Sequence, residues 1–285
     1  MSAQYKRGYK LSVVTPEGKA LVITDLRVRF EITKDLFGYP NLGDIQIFNL
    51  SRDKVTAISQ EFTLIELQIG YGGALDTVFR GDIRNIVNRR EGVDTITQFY
   101  AGDGERATRD ARLSKTYAAG TSIKQIVKEL AETFKIPTAK LDGLDTTRTN
   151  QRGQTISSAS KDAMDKLADD YKFHWSIQDG ELVTQDRESY DKDNTVFNIN
   201  RSTGMIGSPT ITELGADVRT LMNPRLNPYR AIQITTPDAE INVGNLFFRT
   251  KIPTLGTGLF RINKVVHTGD TRGNDWTSAI TGRRF

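Results

Sequence analysis

Histidine is scarce in this chain of 285 residues, and cysteine is absent. His174 and His267 stand apart, with no acidic or histidine partner at a spacing that would build a metal site. An isolated imidazole also lacks the second group that acid–base catalysis needs. The absence of cysteine excludes disulfides, thiolate metal ligands and thiol nucleophiles. We therefore interpret the two histidines as ordinary strand residues, and predict no metal site and no cofactor.

Carboxylates are the other groups that could do chemistry. Four of them cluster in one short segment, where paired acids could serve glycoside hydrolysis. They are Asp162, Asp165, Asp169 and Asp170. Lysines alternate with them, which is typical of a solvated helix face. Asp103 and Glu105 flank a glycine, and a turn leading into the helical stretch ERATRDA accounts for both. No catalytic residue is predicted, and we expect the chain not to be an enzyme.

Three further motifs look like binding sites but have simpler interpretations. The run GYGG at 70–73 leads into the strand pattern TVFRGDI, whereas a phosphate loop leads into a helix, so we predict a hairpin turn. The doublets Arg89–Arg90 and Arg283–Arg284 lack interleaved aromatics for base stacking and are predicted to be hairpin tips or interface contacts. Asn49 begins a glycan-acceptor motif, but MSAQYKRGYKLSVV lacks the apolar core of a secretory signal, so we expect no glycan.

Strands separated by turns fill the first hundred residues. KLSVVT, LVITDLRVRFEI, GDIQIFNL, TLIELQIGY and TVFRGDIRNIVNRRE are rich in β-branched and aromatic residues. Alternation is clearest at Leu26, Val28, Phe30 and Ile32. Ser51 is placed to cap a short helix in RDKVTAISQEF. Residues 1–104 are predicted to form a small antiparallel β-barrel or sandwich with one helix.

Helical periodicity appears between residues 105 and 204. TSIKQIVKELAETF has a helical apolar face, begins with Ser122 and Gln125 at capping-box spacing, and is ended by Pro137. A second amphipathic helix is predicted from about Ser158 to Tyr171. KFHWSIQDGELVTQD then predicts a hairpin with a two-residue Asp-Gly turn. The middle of the chain is predicted to be an α+β domain.

A weak internal repeat links the last domain, 205–285, to the first. FRGDIRNIVNRREGVDTITQFYAG at 79–102 can be laid over FRINKVVHTGDTRGNDWTSAITG at 260–282. Phe79 and Ile83 then correspond to Phe260 and Ile262. The same hairpin is predicted to occur twice. The expected fold is α+β and predominantly β, with two small antiparallel barrels flanking or packed with the α+β middle domain.

Composition limits the classes of protein to consider. Hydrophobic content of 37% and charged content of 26% are typical of a globular chain. The longest aliphatic run is far shorter than the ~20 residues of a membrane span, so no membrane insertion is expected. The net charge of +4 is spread along the chain. It leaves open one alternative, a nucleic-acid-binding β-barrel protein.

Several segments together resemble the baseplate hub proteins of contractile-tailed bacteriophages. They are IQIFNLSRD, GYGG with FRGDI, ITQFYAGDG, TSIKQIVKEL, HWSIQDGELV and TGMIGSPTITELGADVRTLMNP. The resemblance covers residues from about 25 to 235. It implies a homotrimer at the centre of the baseplate, with two barrels per subunit that are similar to the tail-tube subunit. Such a trimer would adapt the sixfold tail tube to the threefold central spike.

The same resemblance implies the partners and the location. The partners would be the tail tube protein, the central spike protein and other baseplate proteins, with phage DNA passing through the lumen without specific binding. The protein would reside in the virion, at the tail baseplate, after assembly in the cytoplasm of the bacterial host. A tail-associated peptidoglycan hydrolase stays open as a second alternative, although it would need an acid in an apolar pocket.

The stretch at residues 203–224 is interpreted as a structural seam between the middle and last domains. Gly204, Gly207 and Pro209 are predicted to set a turn. Ile211–Val218 is predicted to begin a strand, and Asn223–Pro224 to end the segment that follows. The residues of this stretch are expected to serve the fold rather than catalysis.

Overall fold

Strands dominate the computed structural model, which describes residues 6–15, 20–37, 40–58, 64–141, 144, 147–188, 195–211, 215–236, 240–241 and 257–284. The strands of the first half are β1 (Arg7–Val14), β2 (Ala20–Ile23), β3 (Val28–Asp35), β4 (Leu42–Phe48), β5 (Leu64–Tyr71), β6 (Ala74–Glu91), β7 (Asp94–Gly102), β8 (Arg112–Tyr117) and β9 (Thr138–Lys140). Those of the second half are β10 (Gln154–Ala159), β11 (Phe173–Gln178), β12 (Glu181–Asp186), β13 (Phe197–Ile199), β14 (Met205–Ile211), β15 (Gly215–Leu221), β16 (Ala231–Thr235), β17 (Glu240–Ile241), β18 (Thr257–Asp270) and β19 (Trp276–Arg284).

The described helices are short. They are α1 (Arg52–Ile58), α2 (Glu105–Asp110), α3 (Ile123–Thr133) and α4 (Ser160–Tyr171), with one 3₁₀ turn at Arg201–Thr203. Among these, none combines the length and the apolar character needed to cross a lipid bilayer. The remainder of the helix predicted in RDKVTAISQEF, beyond Ile58, lies outside the described residues.

One sheet of fourteen strands runs through most of the chain. Its order is β17-β14-β15-β19-β18-β3-β4-β7-β6-β5-β1-β2, and β16 joins β18 to β13. Neighbours along this path are antiparallel except β14 with β17, and β13 with β16 is also parallel. The predicted α+β, predominantly β class is confirmed. The described strands form an open path rather than closed barrels, because β3, the edge strand of the first half, pairs with β18 of the second.

The described residues form three hydrophobic clusters. The first gathers β1, β3, β4, β5, β6 and β7, and also includes Met222 and Trp276 from the last part of the chain. The second lies between α3, α4 and the hairpin β11–β12. The third is built from β14, β15, β16, β18 and β19. Each fully buried Ile, Leu or Phe stabilises such a cluster by roughly 1.5–3 kcal/mol.

Both amphipathic helices predicted for the middle of the chain are confirmed, but one local detail of the prediction is wrong. The buried residues of α3 are the predicted apolar face. Ser122 is its N-cap residue, but the Ser122 side chain makes no capping hydrogen bond, so the capping box predicted with Gln125 is wrong. Ser122 is instead held by a β-bridge to Thr149. The hairpin β11–β12 turns at Asp179 and Gly180, with φ angles of 56° and 85° as a two-residue turn requires.

The stretch at residues 203–224 differs in detail from its prediction. Gly204 (φ 103°) turns the chain as predicted, but Gly207 (φ 71°) and Pro209 lie inside β14, where the register shifts between Ile206 and Thr210. The run predicted as one strand is two, because Ile211 ends β14 and Val218 belongs to β15. Residues 212–214 lie outside the described residues. The hydrophobic periodicity of the sequence alone does not show where one strand ends and the next begins.

Candidate functional site

The two predicted hairpins form, and both carry a β-bulge at the same place. In β6–β7 the register shifts between Ile83 and Asn85, which leaves Arg84 as the extra residue. In β18–β19 it shifts between Ile262 and Lys264, which leaves Asn263 as the extra residue. A bulge bends its strand and increases the local twist. The predicted correspondence of Ile83 with Ile262 is confirmed.

Beyond the bulge the two arms match residue by residue. The first arm is 85–91 and the second is 264–270, each of seven residues. Thr97 Oγ1 donates a hydrogen bond to Asn88 Oδ1 at 2.9 Å, across the first hairpin. At the corresponding positions of the second hairpin, His267 Nδ1 and Ser278 Oγ are also 2.9 Å apart. The repeat seen in the sequence is therefore a repeat of structure.

The equivalence extends to the strands around each hairpin. One set of six is ordered β3-β4-β7-β6-β5-β1, and the other β14-β15-β19-β18-β16-β13. Both sets also follow the same order along the chain. They differ where β1 meets β5 antiparallel while β13 meets β16 parallel. We call these sets the first and second β modules.

The phenylalanines predicted to correspond are both buried, at different registers. Phe79 lies four residues before the bulge isoleucine and Phe260 two residues before it. Both are fully buried. Gly81 holds the register position of Phe260, and a Cβ added to Gly81 would lie 2.7 Å from the Phe79 ring. The ring of Phe79 thus covers the glycine that stands where Phe260 stands in the other module.

The second arm is covered by β3, which makes a seam between the two modules. Seven antiparallel pairs join 29–35 to 264–270. Leu36 N donates to Asn263 O at 3.0 Å at one end, and Thr271 N donates to Val28 O at 2.9 Å at the other. At the hairpin tip Arg27 and Asp270 form an ion pair of 2.7 Å. The seam therefore combines a complete ladder with a charged clasp.

The first arm has no such cover within the part of the chain that the structure describes. Among the described strands, only β7 pairs with residues 85–91. Ile86 is half-buried and Asn88 is exposed, whereas Val265 and His267, at the corresponding positions of the second arm, are fully buried. The two arms are therefore equivalent in backbone geometry and different in what packs on them.

A buried polar junction ties the middle hairpin to both modules. Lys34 Nζ from β3 lies 2.7 Å from an Asp179 carboxylate oxygen and donates to Asn227 Oδ1 at 2.9 Å. The lysine side chain has no exposed surface. Asp179 belongs to the β11–β12 turn, and Asn227 follows β15. One ammonium group thus holds together elements from all three parts of the chain.

Asp103 is the buried acid of this junction. Its Oδ1 accepts a hydrogen bond from Gly180 N at 2.9 Å, and Asn41 donates to its Oδ2 at 3.4 Å. Burial raises the pKa of Asp103 to about 7, and the Asp179 charge acts in the same direction. Asp103 contributes to the wall of a cleft of about 530 Å³, yet only 1% of the residue is exposed. Its carboxyl group is turned into the protein rather than towards a substrate.

The two histidines lie far from any catalytic arrangement. His174 is half-buried with its ring edge-on to Phe37, and burial together with the Arg261 charge lowers its pKa to about 4. His267 is fully buried, and burial together with the Lys34 charge lowers its pKa to about 3. Both imidazoles are thus neutral at pH 7. Within the described residues, no group of three His, Asp or Glu side chains could hold a metal ion.

The clustered acids of α4 have structural contacts. Asp165 accepts a hydrogen bond from Trp175 Nε1 at 2.8 Å, and burial raises its pKa. Asp169 pairs with Arg187. Asp162 and Asp170 are exposed on the same helix. This agrees with a solvated helix face, from which Asp165 and Asp169 contact the neighbouring hairpin and the residue that follows it.

The remaining motifs lie where hairpins turn or end. Gly72 and Gly73 form the β5–β6 turn with φ of 59° and 90°. Arg90 Nε donates to Gly92 O at the tip of β6–β7, whereas the second doublet ends β19, where Arg283 pairs with Glu188 at 3.6 Å. Glu105 pairs with the bulge residue Arg84. Asn49 is bonded to Asp94 and Thr95, beside the first hairpin.

Sequence reasoning missed the buried polar junction and the pairing of β3 with the second arm. Lys34 alternates like any strand residue, so nothing local marks it as buried. The Asp-Gly turn was found, but Lys34, whose ammonium group binds the Asp179 carboxylate of that turn, lies 145 positions away. The internal repeat was the signal that could have predicted the pairing of β3 with the second arm. If each module has an edge strand and a free hairpin arm, the edge strand of one can pair with the arm of the other.

Known proteins were compared with the chain at the level of family and of fold. The family model described as Baseplate hub gp41 matches residues 10–236. No curated protein sequence matches. A 43 kDa tail protein of prophage MuSo2 from Shewanella oneidensis superimposes with a TM-score of 0.64 at 10% identity, over 98% of this chain and 97% of that one.

Two other solved structures share the fold. The tail protein from Neisseria meningitidis MC58 gives a TM-score of 0.60 at 11% identity, over 97% of each chain. An E. coli component of the type VI secretion system, itself described as structurally similar to bacteriophage T4 tail proteins, gives 0.57 at 13% identity, over 92% of this chain and 74% of that one. At these identities the likeness concerns the fold.

Proposed function

The chain belongs to the Baseplate hub gp41 family, and from this premise we propose that it acts as a homotrimer that adapts the sixfold tail tube to the threefold central spike. One observation carries the proposal, namely the common strand order of the two β modules. Three copies of a chain with two related modules present six similar surfaces in a ring. A sixfold partner can bind one side of such a ring while a threefold partner binds the other.

The partners in this proposal are the tail tube protein, the central spike protein and other baseplate proteins. Phage DNA passes through the lumen without specific binding, and assembly takes place in the host cytoplasm. We propose the division 1–104, 105–204 and 205–285 for the three units, with one amendment. Because β13 (Phe197–Ile199) pairs with β16, the second module begins before residue 204.

The role is structural rather than enzymatic. The hydrolase alternative needs an accessible acid, and Asp103, whose pKa burial raises to about 7, is bonded inward and 1% exposed. The nucleic-acid alternative needs clustered cations with exposed aromatics, and several arginines are paired with acids, among them Arg27, Arg84, Arg187 and Arg225. Clearing of a cell-wall suspension, or salt-sensitive DNA binding, would revive the corresponding alternative.

Light scattering on the purified protein tests the proposal. We expect a particle of three times the 31.9 kDa chain mass at micromolar concentration. A stable monomer at that concentration would contradict the proposed ring.

A further inference from the structure

Lys34 occupies a core position of β3. Val28, Phe30 and Ile32 precede it on the same face of the strand and belong to the first hydrophobic cluster. The Lys34 side chain has no exposed surface. Lysine is almost never fully buried, and apolar side chains of similar volume often stabilise a core as well as a buried ion pair does. A lysine at this position therefore indicates a role for its amine beyond packing.

The Lys34 amine contacts an acid and an amide at the same time. Nζ donates to both carboxylate oxygens of Asp179, at 2.7 and 2.8 Å, and to Asn227 Oδ1 at 2.9 Å. Formation of an amide bond between side chains needs an amine nucleophile, an acid–base group to move its protons, and a carboxyl derivative to attack. The three side chains supply these components in one buried place.

Each of the three groups is held by backbone contacts of its own element. Lys34 lies in the ladder between β3 and β18. The turn that carries Asp179 donates a backbone hydrogen bond to Asp103 Oδ1 at 2.9 Å. Asn227 precedes Pro228, whose ring fixes the φ angle of the chain there. Groups held in contact in this way react far faster than the same groups free in solution.

We propose that Lys34 and Asn227 form an intramolecular isopeptide bond, with Asp179 as the acid–base group. Asp179 takes a proton from the Lys34 ammonium group, and Nζ attacks Cγ of Asn227. The Nζ–Cγ bond forms and the Cγ–Nδ2 bond breaks, while a second proton of Nζ passes to Nδ2. The ammonia released takes up the proton held by Asp179 and departs as ammonium, so Asp179 is a carboxylate again. The reaction needs no oxidant and no cofactor.

The surroundings of Asn227 favour this reaction over the usual one. Asn227 is half-buried and borders a cleft of about 460 Å³, through which ammonia can leave. The last torsion of an asparagine side chain varies broadly, so Cγ can turn towards Nζ. An asparagine more often loses ammonia by cyclising onto the backbone N–H of the next residue. Pro228 has no N–H group, so that route is blocked at Asn227.

The bond joins the two β modules. Lys34 belongs to β3 of the first module, and Asn227 lies between β15 and β16 of the second, 193 positions away. A cross-link that closes a long loop stabilises the folded chain by restricting the unfolded one. Because the chain has no cysteine, a disulfide cannot serve this purpose. The inference concerns a single chain and does not depend on the proposed trimer.

The mass of the purified full-length protein under denaturing conditions tests the proposal. We expect it to be lower than the mass calculated from the sequence by one ammonia molecule, about 17 Da. Trypsin does not cleave after an acylated lysine. Digestion should therefore give a branched peptide that joins residues 30–52 to residues 226–230, and fragmentation should place the link between Lys34 and Asn227.

Matched variants separate this bond from any other loss of ammonia. Asn227→Ser leaves the Lys34–Asp179 pair in place and should have the full mass calculated from its sequence. Asn223→Ser changes the other Asn-Pro step of the same segment and should retain the loss. Lys34→Arg should also have its full mass. Its control is Lys264→Arg, at an exposed position of the neighbouring strand, which should retain the loss.

Asp179→Asn tests the acid–base group. Asparagine suits the positive φ of this turn as aspartate does, so the hairpin should keep its shape. Without a group to move protons, the amount of the Lys34–Asn227 branched peptide should fall at least about tenfold.

Four outcomes would overturn the inference or one of its assignments. A full-mass protein with an unmodified Lys34 overturns the bond. A loss of one water molecule, about 18 Da, with a link from Lys34 to Asp179 shows that the acid is attacked instead of the amide. A loss of ammonia that persists in Asn227→Ser places it elsewhere in the chain. An unchanged amount of branched peptide in Asp179→Asn overturns the role of Asp179.

Discussion

The two hairpins of this chain are the same structure in two environments. Both have a bulge after an isoleucine, an arm of seven residues and a polar bond across the ladder. The second arm lies beside β3 with Val265 and His267 fully buried, whereas Ile86 and Asn88, at the corresponding positions of the first arm, are half-buried and exposed. Among the described strands, the hairpin arm is therefore covered by a neighbouring strand in the second module and not in the first. The difference indicates that the open copy is the one available to a partner.

The side chains follow this division. Val265, His267 and Gly269 of the covered arm stand where the open arm has Ile86, Asn88 and Arg90. An uncovered strand that carries charge at its end is protected against uncontrolled pairing. The open arm is therefore suited to one specific neighbour rather than to any exposed edge.

The largest effect is expected from the core positions of the hairpins. Ile262→Ala should lower the free energy of unfolding by about 2–5 kcal/mol, and Ile83→Ala by less than about 2 kcal/mol, because Ile83 is only half-buried. Phe79→Ala and Phe260→Ala should each cost about 3–5 kcal/mol, since both rings are fully buried. Urea unfolding at one fixed protein concentration measures all four. Equal losses of unfolding free energy at Ile83 and Ile262 would contradict the difference in packing between the two hairpins.

A second difference between the hairpins is sensitivity to acid. Burial lowers the pKa of His267 from 6.5 to about 3, so the unfolded chain binds a proton there that the folded chain refuses. Stability therefore falls as pH drops from 6.5 towards 3, by at most about 1.4 kcal/mol per unit.

His267→Asn copies the Asn88–Thr97 arrangement of the other hairpin and should remove this loss. Thermal unfolding of both proteins from pH 7 down to pH 4 measures it. An unchanged difference between them over that range would show that His267 does not titrate as its burial requires.

The junction beside the first hairpin should respond to pH in the opposite direction. Burial raises the pKa of Asp103 to about 7, so the folded chain retains a proton that the unfolded chain has lost. Stability therefore falls as pH rises from about 4 to 7 and levels off above that. Asp103→Asn should become the more stable protein progressively across this range. A constant offset in the urea midpoint between pH 4 and pH 8 would contradict the assignment.

The smallest effect on the chain itself is expected at the open edge. Arg90→Pro removes an N–H group that points away from β7, so the free energy of unfolding of the monomer should change by less than about 0.5 kcal/mol. The proposed trimer of this variant should dissociate at about tenfold higher concentration, because the substitution removes a hydrogen-bond donor from an edge that no described strand covers. Analytical ultracentrifugation measures this.

Arg89→Pro is the matched control for the open edge. Its N–H group points towards β7, so the substitution should destabilise the hairpin itself by about 1–3 kcal/mol. Equal effects of the two prolines on both quantities would mean that the edge carries no function.

Local pattern was enough to predict much of the fold. Alternation at Val28, Phe30 and Ile32 placed β3, helical spacing placed α3, and Asp179–Gly180 placed a hairpin turn. The repeat predicted the two hairpins, including the correspondence of Ile83 with Ile262. These features depend on residues close together in the sequence, where periodicity and turn chemistry act directly.

What could not be predicted depends on distant partners. The pairing of β3 with β18 joins residues more than 200 positions apart, and nothing in either strand specifies the other. Lys34 is buried only because Asp179 and Asn227 meet it. The bulges at Arg84 and Asn263 have no shared residue type, so their common position became visible only through the ladders.

A three-dimensional reconstruction of the purified particle by electron microscopy tests the central claim most directly. The proposed trimer predicts one ring of six β modules, first and second alternating. A particle in which only the first modules form the ring, with the second modules outside it, would contradict the account.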